Sequence, residues 1–385
     1  MNVSLDADRQ AVVDEVRMFV EREVIPVAHD LEKNDVYPFE LIEKLKALGV
    51  FSATIPEKYG GLGFDLLTYV QIIEQLSRGW MSLAGILNTH ILVAYMIATY
   101  GTETQRQRFL PIMALGEKRG GICISEADAG SDVQAITMTA VRDGEDYVLN
   151  GSKLWVTNGI HGSIFAVLAR TDTTIRPPYR GMSVFLVEKG TAGLHAGRTF
   201  EKLGYKGVET AELVFSDVRV PITNLLGGLE GEGFKHIMSA LEVGRINVAA
   251  RAVGVAQAAF NDSIKYAQQR YTFGKPIAQH QSIQLKLADM ATKIEAARLL
   301  LQQAALKKDR GERCDLEAGM AKLFATEMCQ EVTLEAMRIH GGFGYTKEFN
   351  VERYYREAPF MLVGEGTSEI QRLVIARQLL ERYKV

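Results

Sequence analysis

The hydrophobic pattern of this 385-residue chain changes period twice, and the two changes constrain its fold more than any other feature. Up to about residue 119 the apolar residues recur at helical spacing. Val13, Val16, Val20 and Val24 form one stripe, expected to stop at Pro26; Leu41, Ile42, Leu45 and Leu48 form another, opened by Pro38 and closed by Gly49. After a loop with Pro56, Gly60, Gly61 and Gly63, further helices are expected near 66–77, 83–100 and 103–115. From Gly120 the chain becomes short runs rich in Thr, Val and Tyr, with Asp143-Gly144 and Asn150-Gly151 read as hairpin turns and strands near 163–169, 182–187 and 211–215. Beyond the glycine-rich stretch 227–233, read as a hinge, helical spacing returns near 234–269, 281–310 and 316–340. A Ser368-x-x-Gln371 capping box then opens a last helix from Glu369 to about Arg382. Such long segments suit an antiparallel four-helix bundle. The expected fold is α+β, mostly α: an N-terminal helical domain over 1–119, a small central β-domain over 120–232, and a C-terminal helical bundle over 233–385.

Bulk properties narrow the function class. A net charge of −3 argues against nucleic acid as the main partner, which needs a concentrated basic surface. Cys123, Cys314 and Cys329 are few, odd in number and without metal-ligand spacing; they read as buried thiols of a reducing compartment. No paired histidine motif suggests a metal. Residues 1–10 are polar and lead straight into an amphipathic helix, so no signal peptide is expected and the cytoplasm is the expected location. The apolar run 80–100 is interrupted by Asn88, Thr89 and His90, which favours a buried core helix over membrane insertion.

Five segments carry candidate chemistry, and each has a plain structural alternative. Ser125 to Asp132 follows a strand and offers hydroxyls and free amides to a polar ligand edge, or is a connecting loop. Trp155 and Thr157, two apart on a strand, share a face, so one can stack on a ring while the other hydrogen-bonds it; packing in a core is the alternative. Arg270 to Lys275 places an arginine beside a hydroxyl, as for phosphate, or simply ends a helix. Gly341-Gly342-Phe343-Gly344 lacks dinucleotide-fingerprint spacing and reads as a ligand loop or as a helix stop. In Gly364-Glu365-Gly366-Thr367-Ser368-Glu369-Ile370-Gln371, a carboxylate flanked by two glycines can be approached from either side; it also suits a helix start favoured by the dipole.

The order and spacing of these segments resemble the acyl-CoA dehydrogenase family over essentially the whole chain. The motifs are Cys123 to Asp132, Trp155 to Gly159, Arg270 to Lys275 with His280-Gln281, Ile339 to Tyr345, and the octet from Gly364. The resemblance implies FAD as cofactor, an acyl-CoA thioester as substrate, an electron-transferring flavoprotein as acceptor, and a homotetramer built as a dimer of dimers. It implies that Glu365 takes the α-proton while a β-hydride passes to the flavin. It also implies that Ile122, Ser125, Gly130 and Ser131 wrap the flavin, that Trp155 and Thr157 face its ring, and that Thr367 and Glu369 hold it at the last helix. Arg270, Thr272, Gln281, Arg338, Gly341 and Gly342 would reach the FAD of a neighbouring subunit. Ser131, Glu242, Arg245 and Gly366 would contact the substrate.

Three departures from the commonest pattern stand out. Ala127-Asp128 replaces Pro-Gly, Arg338 replaces a glutamine, and Gly364 replaces an aromatic, which would widen the pocket at that point for short, branched or dicarboxylic acyl groups. In the isovaleryl branch the base moves to the position of Gly244; that position carries no carboxylate here, so Glu365 remains the candidate. An acyl-CoA oxidase, a decarboxylating dehydrogenase and a non-catalytic flavoprotein binding module are the competing functions on the same scaffold.

Overall fold

The computed structural model describes residues 5–384. Six helices come first: α1 (Ala7–Phe19), α2 (Ile25–Lys33), α3 (Phe39–Ala47), α4 (Leu66–Gly79), α5 (Met81–Tyr100) and α6 (Glu103–Ala114). A seven-stranded sheet follows, made of β1 (Gly120–Cys123), β2 (Thr139–Asp143), β3 (Asp146–Thr157), β4 (Ile164–Arg170), β5 (Met182–Glu188), β6 (Leu194–Thr199) and β7 (Thr210–Pro221). Its order is β1-β4-β2-β3-β7-β6, with β5 also paired to β4. The chain then returns to helices α7 (Gly233–Gln269), α8 (Gln281–Asp309), α9 (Asp315–His340), α10 (Val351–Val363) and α11 (Ser368–Arg382), with the small hairpin β8 (Tyr271–Thr272) and β9 (Lys275–Pro276) between α7 and α8.

The sheet is where the two helical regions meet. Along β4, Ile164, Ala166 and Leu168 join a core shared by the N-terminal and C-terminal helices, while Phe165, Val167 and Ala169 join a second core inside the sheet region. Side chains alternate faces along a strand, and here both faces are buried, so β4 and β5 carry the nearly continuous apolar runs 164–169 and 184–187. Helix α5 is long and apolar enough to cross a membrane, but 89% of its most apolar window lies inside the protein, as expected for a core helix. The three cysteines are free and buried.

Several sequence expectations need correction. Pro26 does not end the first helix. A π-turn over Val20–Val24 joins α1 to α2, with Pro26 in the first turn of α2; widening the helix there spares the clash that proline makes with the preceding turn. Asn150-Gly151 is a bulge inside β3 rather than a turn, because the register against β7 shifts between Leu149 and Gly151. Asn150 fixes it by pairing with Asp217 across the strands, accepting from the Asp217 N–H at 2.8 Å.

The glycine-rich stretch is anchored and does not form a free hinge. The Gly231 N–H donates to Ser183 Oγ at 3.0 Å, and a Cβ on Gly233 would lie 2.5 Å from the Ser183 backbone. The last helix starts one residue earlier than expected. Thr367 is its N-cap, accepting from the Ile370 N–H at 3.3 Å, so Ser368 is already helical. Helix α10 was missed because Pro359 lies inside it and the segment before it carries turn residues. The C-terminal region therefore has a fifth helix beside the four expected.

Candidate active site

Helix α10 ends at Val363, and the chain turns through Gly364-Glu365-Gly366 before α11 begins. Glu365 sits at φ 57°, a conformation that costs energy for a residue with a Cβ, and Gly366 follows at φ 91°. Two buried side chains hold the turn from below. Lys322 on α9 donates to the carbonyls of Leu362 at 3.2 Å and Gly366 at 2.8 Å. Gln371 on α11 donates to the carbonyls of Glu365 at 3.3 Å and Gly366 at 3.0 Å. Once Thr367 is the cap, Gln371 is free to reach back to the turn. The strained backbone aims the Glu365 side chain inward, between α5 and α7.

Asn88 on α5 donates from Nδ2 to Glu365 Oε1 at 3.0 Å, while Oε2 is buried and has no partner. On α7, a Cβ placed at Gly244 would stand 2.5 Å from that same Oε2. Absence of a side chain at Gly244 is therefore what gives the carboxylate its room. Burial pushes the Glu365 carboxyl above the ordinary carboxylate range, against the pull of Arg251, the Asn88 bond, Arg245 and Lys322. The residue as a whole is only half-buried; the raised pKa belongs to the enclosed oxygen end. A buried acid with one unpartnered oxygen and a pKa shifted toward neutrality is built to exchange a proton.

The polar interruption of α5 is explained residue by residue. Asn88 reaches the carboxylate, and Thr89 donates to the Gly120 carbonyl at 3.0 Å. His90 joins the Phe51 carbonyl at 3.0 Å and the Gly120 N–H at 3.3 Å, and burial lowers its pKa to about 4, so it is neutral and structural. Asn88 belongs to the site and was missed. Its signal was visible as a polar residue in an otherwise apolar helix.

A second group of predicted residues collects at the end of the sheet. Trp155 stands at a bulge in β3 with φ 62° and is 57% exposed, its ring 4.2 Å from that of Phe200. Thr157 is half-buried on the same side, while Val156 between them faces the core. Asn158 holds this corner from inside: its amide donates to the carbonyls of Ile86 and Gly120 and to the Thr89 hydroxyl, all at 2.9–3.0 Å. Ile122 is half-buried on β1, and Ser125, Gly130 and Ser131 lie on the loop that follows it. Glu126 anchors that loop. Its carboxylate accepts from the Thr137 and Met138 N–H groups at 2.7 and 3.0 Å and pairs at 2.8 Å with the fully buried Lys153. Neither Asn158 nor the Glu126–Lys153 pair was assigned a role from sequence, since long-range pairing leaves no local signal.

A third group meets elsewhere. Arg270, Thr272, Gly341 and Gly342 line one cavity of about 470 Å³, together with Tyr266 and His340. Gln281 opens α8 and is exposed; Arg338, one turn before Gly341, is exposed and pairs with Glu335 at 2.6 Å. No residue of the sheet group lines this cavity. Two predicted substrate contacts have partners inside the chain: Glu242 pairs with Lys308 and accepts from the Cys314 N–H at 3.3 Å, and Arg245 lies 3.7 Å from Asp315. Thr367 caps α11, and Glu369 is exposed on its first turn.

These features fit a large planar cofactor with a phosphate-bearing tail. A Cβ added at Gly130 or Gly342 would meet nothing within 4 Å, so the chain's own packing does not require those glycines, whereas Gly341, equally uncrowded, sits at φ 61° and is favoured by its own backbone. An indole left 57% exposed on a bulged strand presents a face for a ring. The cavity beside Arg270 supplies a cation and a hydroxyl.

Comparison with known proteins agrees across the whole chain. Family profiles described as acyl-CoA dehydrogenase N-terminal, middle and C-terminal domains match residues 6–117, 121–218 and 231–380. An acyl-CoA dehydrogenase of Bacillus subtilis is 42% identical over 366 residues, 95% of this chain and 96% of that protein. Butyryl-CoA dehydrogenase from Megasphaera elsdenii superposes with a TM-score of 0.96 at 39% identity, covering 99% of this chain and 100% of that one. A chain solved in work on the electron transferring flavoprotein of Acidaminococcus fermentans and flavin-based electron bifurcation gives a TM-score of 0.96 at 40% identity, with the same coverage.

Proposed function

The chain belongs to the acyl-CoA dehydrogenase family of FAD-dependent oxidoreductases, and on that premise we propose that it converts an acyl-CoA thioester to the trans-2-enoyl-CoA with Glu365 as the base. The observation that carries this reading is the unpartnered, buried Oε2 of Glu365, held in a strained turn opposite a glycine.

An α C–H beside a thioester is a weak acid, so the base must be matched to its task and the developing enolate must be stabilised. Burial raises the Glu365 pKa, which strengthens the carboxylate as a base. Arg251, Arg245 and Lys322 keep enough positive charge nearby for the ionised form to persist. Asn88 holds Oε1 and leaves Oε2 to take the proton. The Glu365 N–H has no backbone acceptor among the described residues and is the donor assigned to the thioester carbonyl. Bound FAD supplies the acceptor for the β-hydride.

Ile122, Ser125, Gly130, Ser131, Trp155 and Thr157 are assigned to the flavin side, with Thr367 and Glu369 at the head of α11. Arg270, Thr272, Gln281, Arg338, Gly341 and Gly342 form a separate group, exposed apart from the half-buried Thr272, which supports a site completed by a neighbouring subunit in a dimer of dimers. Ser131, Arg245 and Gly366 are assigned to the substrate, and Glu242, paired with Lys308, to joining the start of α7 to the end of α8. Electrons pass to an electron-transferring flavoprotein in this reading, and three buried thiols suit the cytoplasm. The test is anaerobic titration of the FAD-loaded protein with CoA thioesters. Bleaching of the flavin, with slow reoxidation in air and fast reoxidation by an electron-transferring flavoprotein, is expected. Rapid oxygen consumption, or no bleaching by any CoA thioester, contradicts it.

A further inference from the structure

Arg251 lies on α7 seven residues beyond Gly244, two helical turns along the same face and about 10 Å further along the axis. It is 1% exposed, yet it lacks the partner that a buried guanidinium ordinarily requires. Its hydrogen bond within the chain is a 3.5 Å contact from Nη1 to the Tyr205 hydroxyl, and its Nε has no partner. The other buried arginines of this chain, among the described residues, are placed near carboxylates: Arg353 is 3.7 Å from Glu357 and Arg245 is 3.7 Å from Asp315. Among the described residues, no carboxylate makes an ion pair with Arg251.

The surroundings show what the guanidinium faces. It stands over the rings of Tyr205 and Phe360, 5.8 and 5.5 Å from their centroids, and those rings stack on each other at 4.3 Å. Phe360 fills the space beside Gly364, where a Cβ would lie 3.0 Å from its ring. Tyr205 packs against Gly85 on α5, one turn before Asn88, and lies beside Thr157. Arg251 also exerts the largest positive-charge effect on the Glu365 carboxyl, ahead of Arg245 and Lys322. The cation thus closes the far end of the chamber that starts at the base. Unpartnered buried polar atoms gather along that chamber: Glu365 Oε2, Asn88 Oδ1, Arg245 Nε and Arg251 Nε.

We propose that Arg251 is a specificity residue that binds a carboxylate at the far end of the acyl group, so that the substrate is a CoA thioester of a short dicarboxylic acid. The inference rests on the proposed function and names the substrate class of the same site. A ligand carboxylate supplies the missing counter-ion and accepts from the planar guanidinium, which suits two-oxygen recognition. A monocarboxylic acyl chain of equal length leaves the cation buried and unpaired, and is rejected for that reason.

The test is kcat/KM of the FAD-loaded enzyme for succinyl-CoA and glutaryl-CoA against butyryl-CoA and valeryl-CoA, in wild type and in Arg251→Gln. The diacid thioesters should be preferred by wild type, and Arg251→Gln should lower the diacid-to-monoacid ratio by roughly 100-fold. Arg251→Lys should recover part of that ratio. A wild type that prefers butyryl-CoA or valeryl-CoA overturns the inference and leaves the proposed function standing. Equal loss for both classes in Arg251→Gln also overturns it, since Arg251 would then act only as a counter-ion to Glu365. If no thioester of either class bleaches the flavin, the proposed function falls and this inference falls with it. The wild-type preference decides the matter even if Arg251→Gln fails to fold.

Discussion

The chamber around Glu365 and the cavity beside Arg270 are built in opposite ways. The first is enclosed by α5, α7, α9 and α11, its backbone strained and its carbonyls held by Lys322 and Gln371. The second opens at helix ends, where Arg270, Gly341, Gly342 and Phe343 are exposed, and Gly341 and Gly342 are crowded by nothing in the chain. An acid–base site needs preorganisation and exclusion of water, which one chain can supply. A surface that binds a cofactor's polar tail needs only charge and room, and a second subunit can complete it. The contrast predicts that changes at the first region alter rate, and that changes at the second alter cofactor retention.

Glu365→Gln separates the two regions most sharply. It should lower kcat by about 10²–10⁴-fold, the usual contribution of a positioned general base, while FAD content stays at the wild-type level. The variant should also be no less stable than wild type at pH 8. A carboxyl with a raised native pKa favours the fold at low pH and loses that contribution as pH rises through the native pKa, so a neutral isostere has nothing to lose there. A thermal melt at pH 8 with a lower midpoint than wild type would break the comparison.

Gly244→Ala should cost on the order of 10²-fold in kcat, because its Cβ meets the end of the Glu365 side chain at 2.5 Å and displaces the base. The contact is with a flexible side chain, so the melting temperature should hardly move. Loss of folding with no separate loss of rate would place the glycine in packing instead.

Asn88→Leu removes a hydrogen bond that favours the ionised carboxylate. Wild-type flavin reduction should rise with pH as Glu365 ionises, at a higher pH than an exposed carboxylate would show. In Asn88→Leu the rise should move further toward alkaline pH, with a rate roughly tenfold lower on the acid side and recovery above it. A uniform loss at all pH values would assign Asn88 to packing.

Arg270→Ala should leave single-turnover reduction of bound flavin unchanged and weaken FAD retention about tenfold, read by gel filtration at increasing salt. A loss of reduction rate at full FAD occupancy would erase the distinction between the regions.

The period changes at residues 120 and 233 made the helix–strand–helix architecture legible, because both signals are local. The bulge at Asn150-Gly151 and the π-turn before Pro26 were not legible, since each depends on what the rest of the fold requires of that backbone. Glu365 was visible because its flanking glycines and its order among the motifs stand in the sequence. Asn88 and Arg251 were not read as site residues. Each is ordinary in its own helix and becomes unusual only when α5, α7 and the turn at Glu365 are brought together.

Moving the base tests the central claim most directly. Gly244 stands opposite Glu365 Oε2, so a carboxylate carried by residue 244 reaches the same space from the other wall. Single-turnover anaerobic reduction by the preferred CoA thioester should be nearly abolished in Glu365→Gly. In the double variant Glu365→Gly/Gly244→Glu it should recover at least about tenfold, as expected when a general base is returned. A double variant that binds FAD and substrate yet reduces no faster than Glu365→Gly would contradict the assignment of proton removal to this chamber.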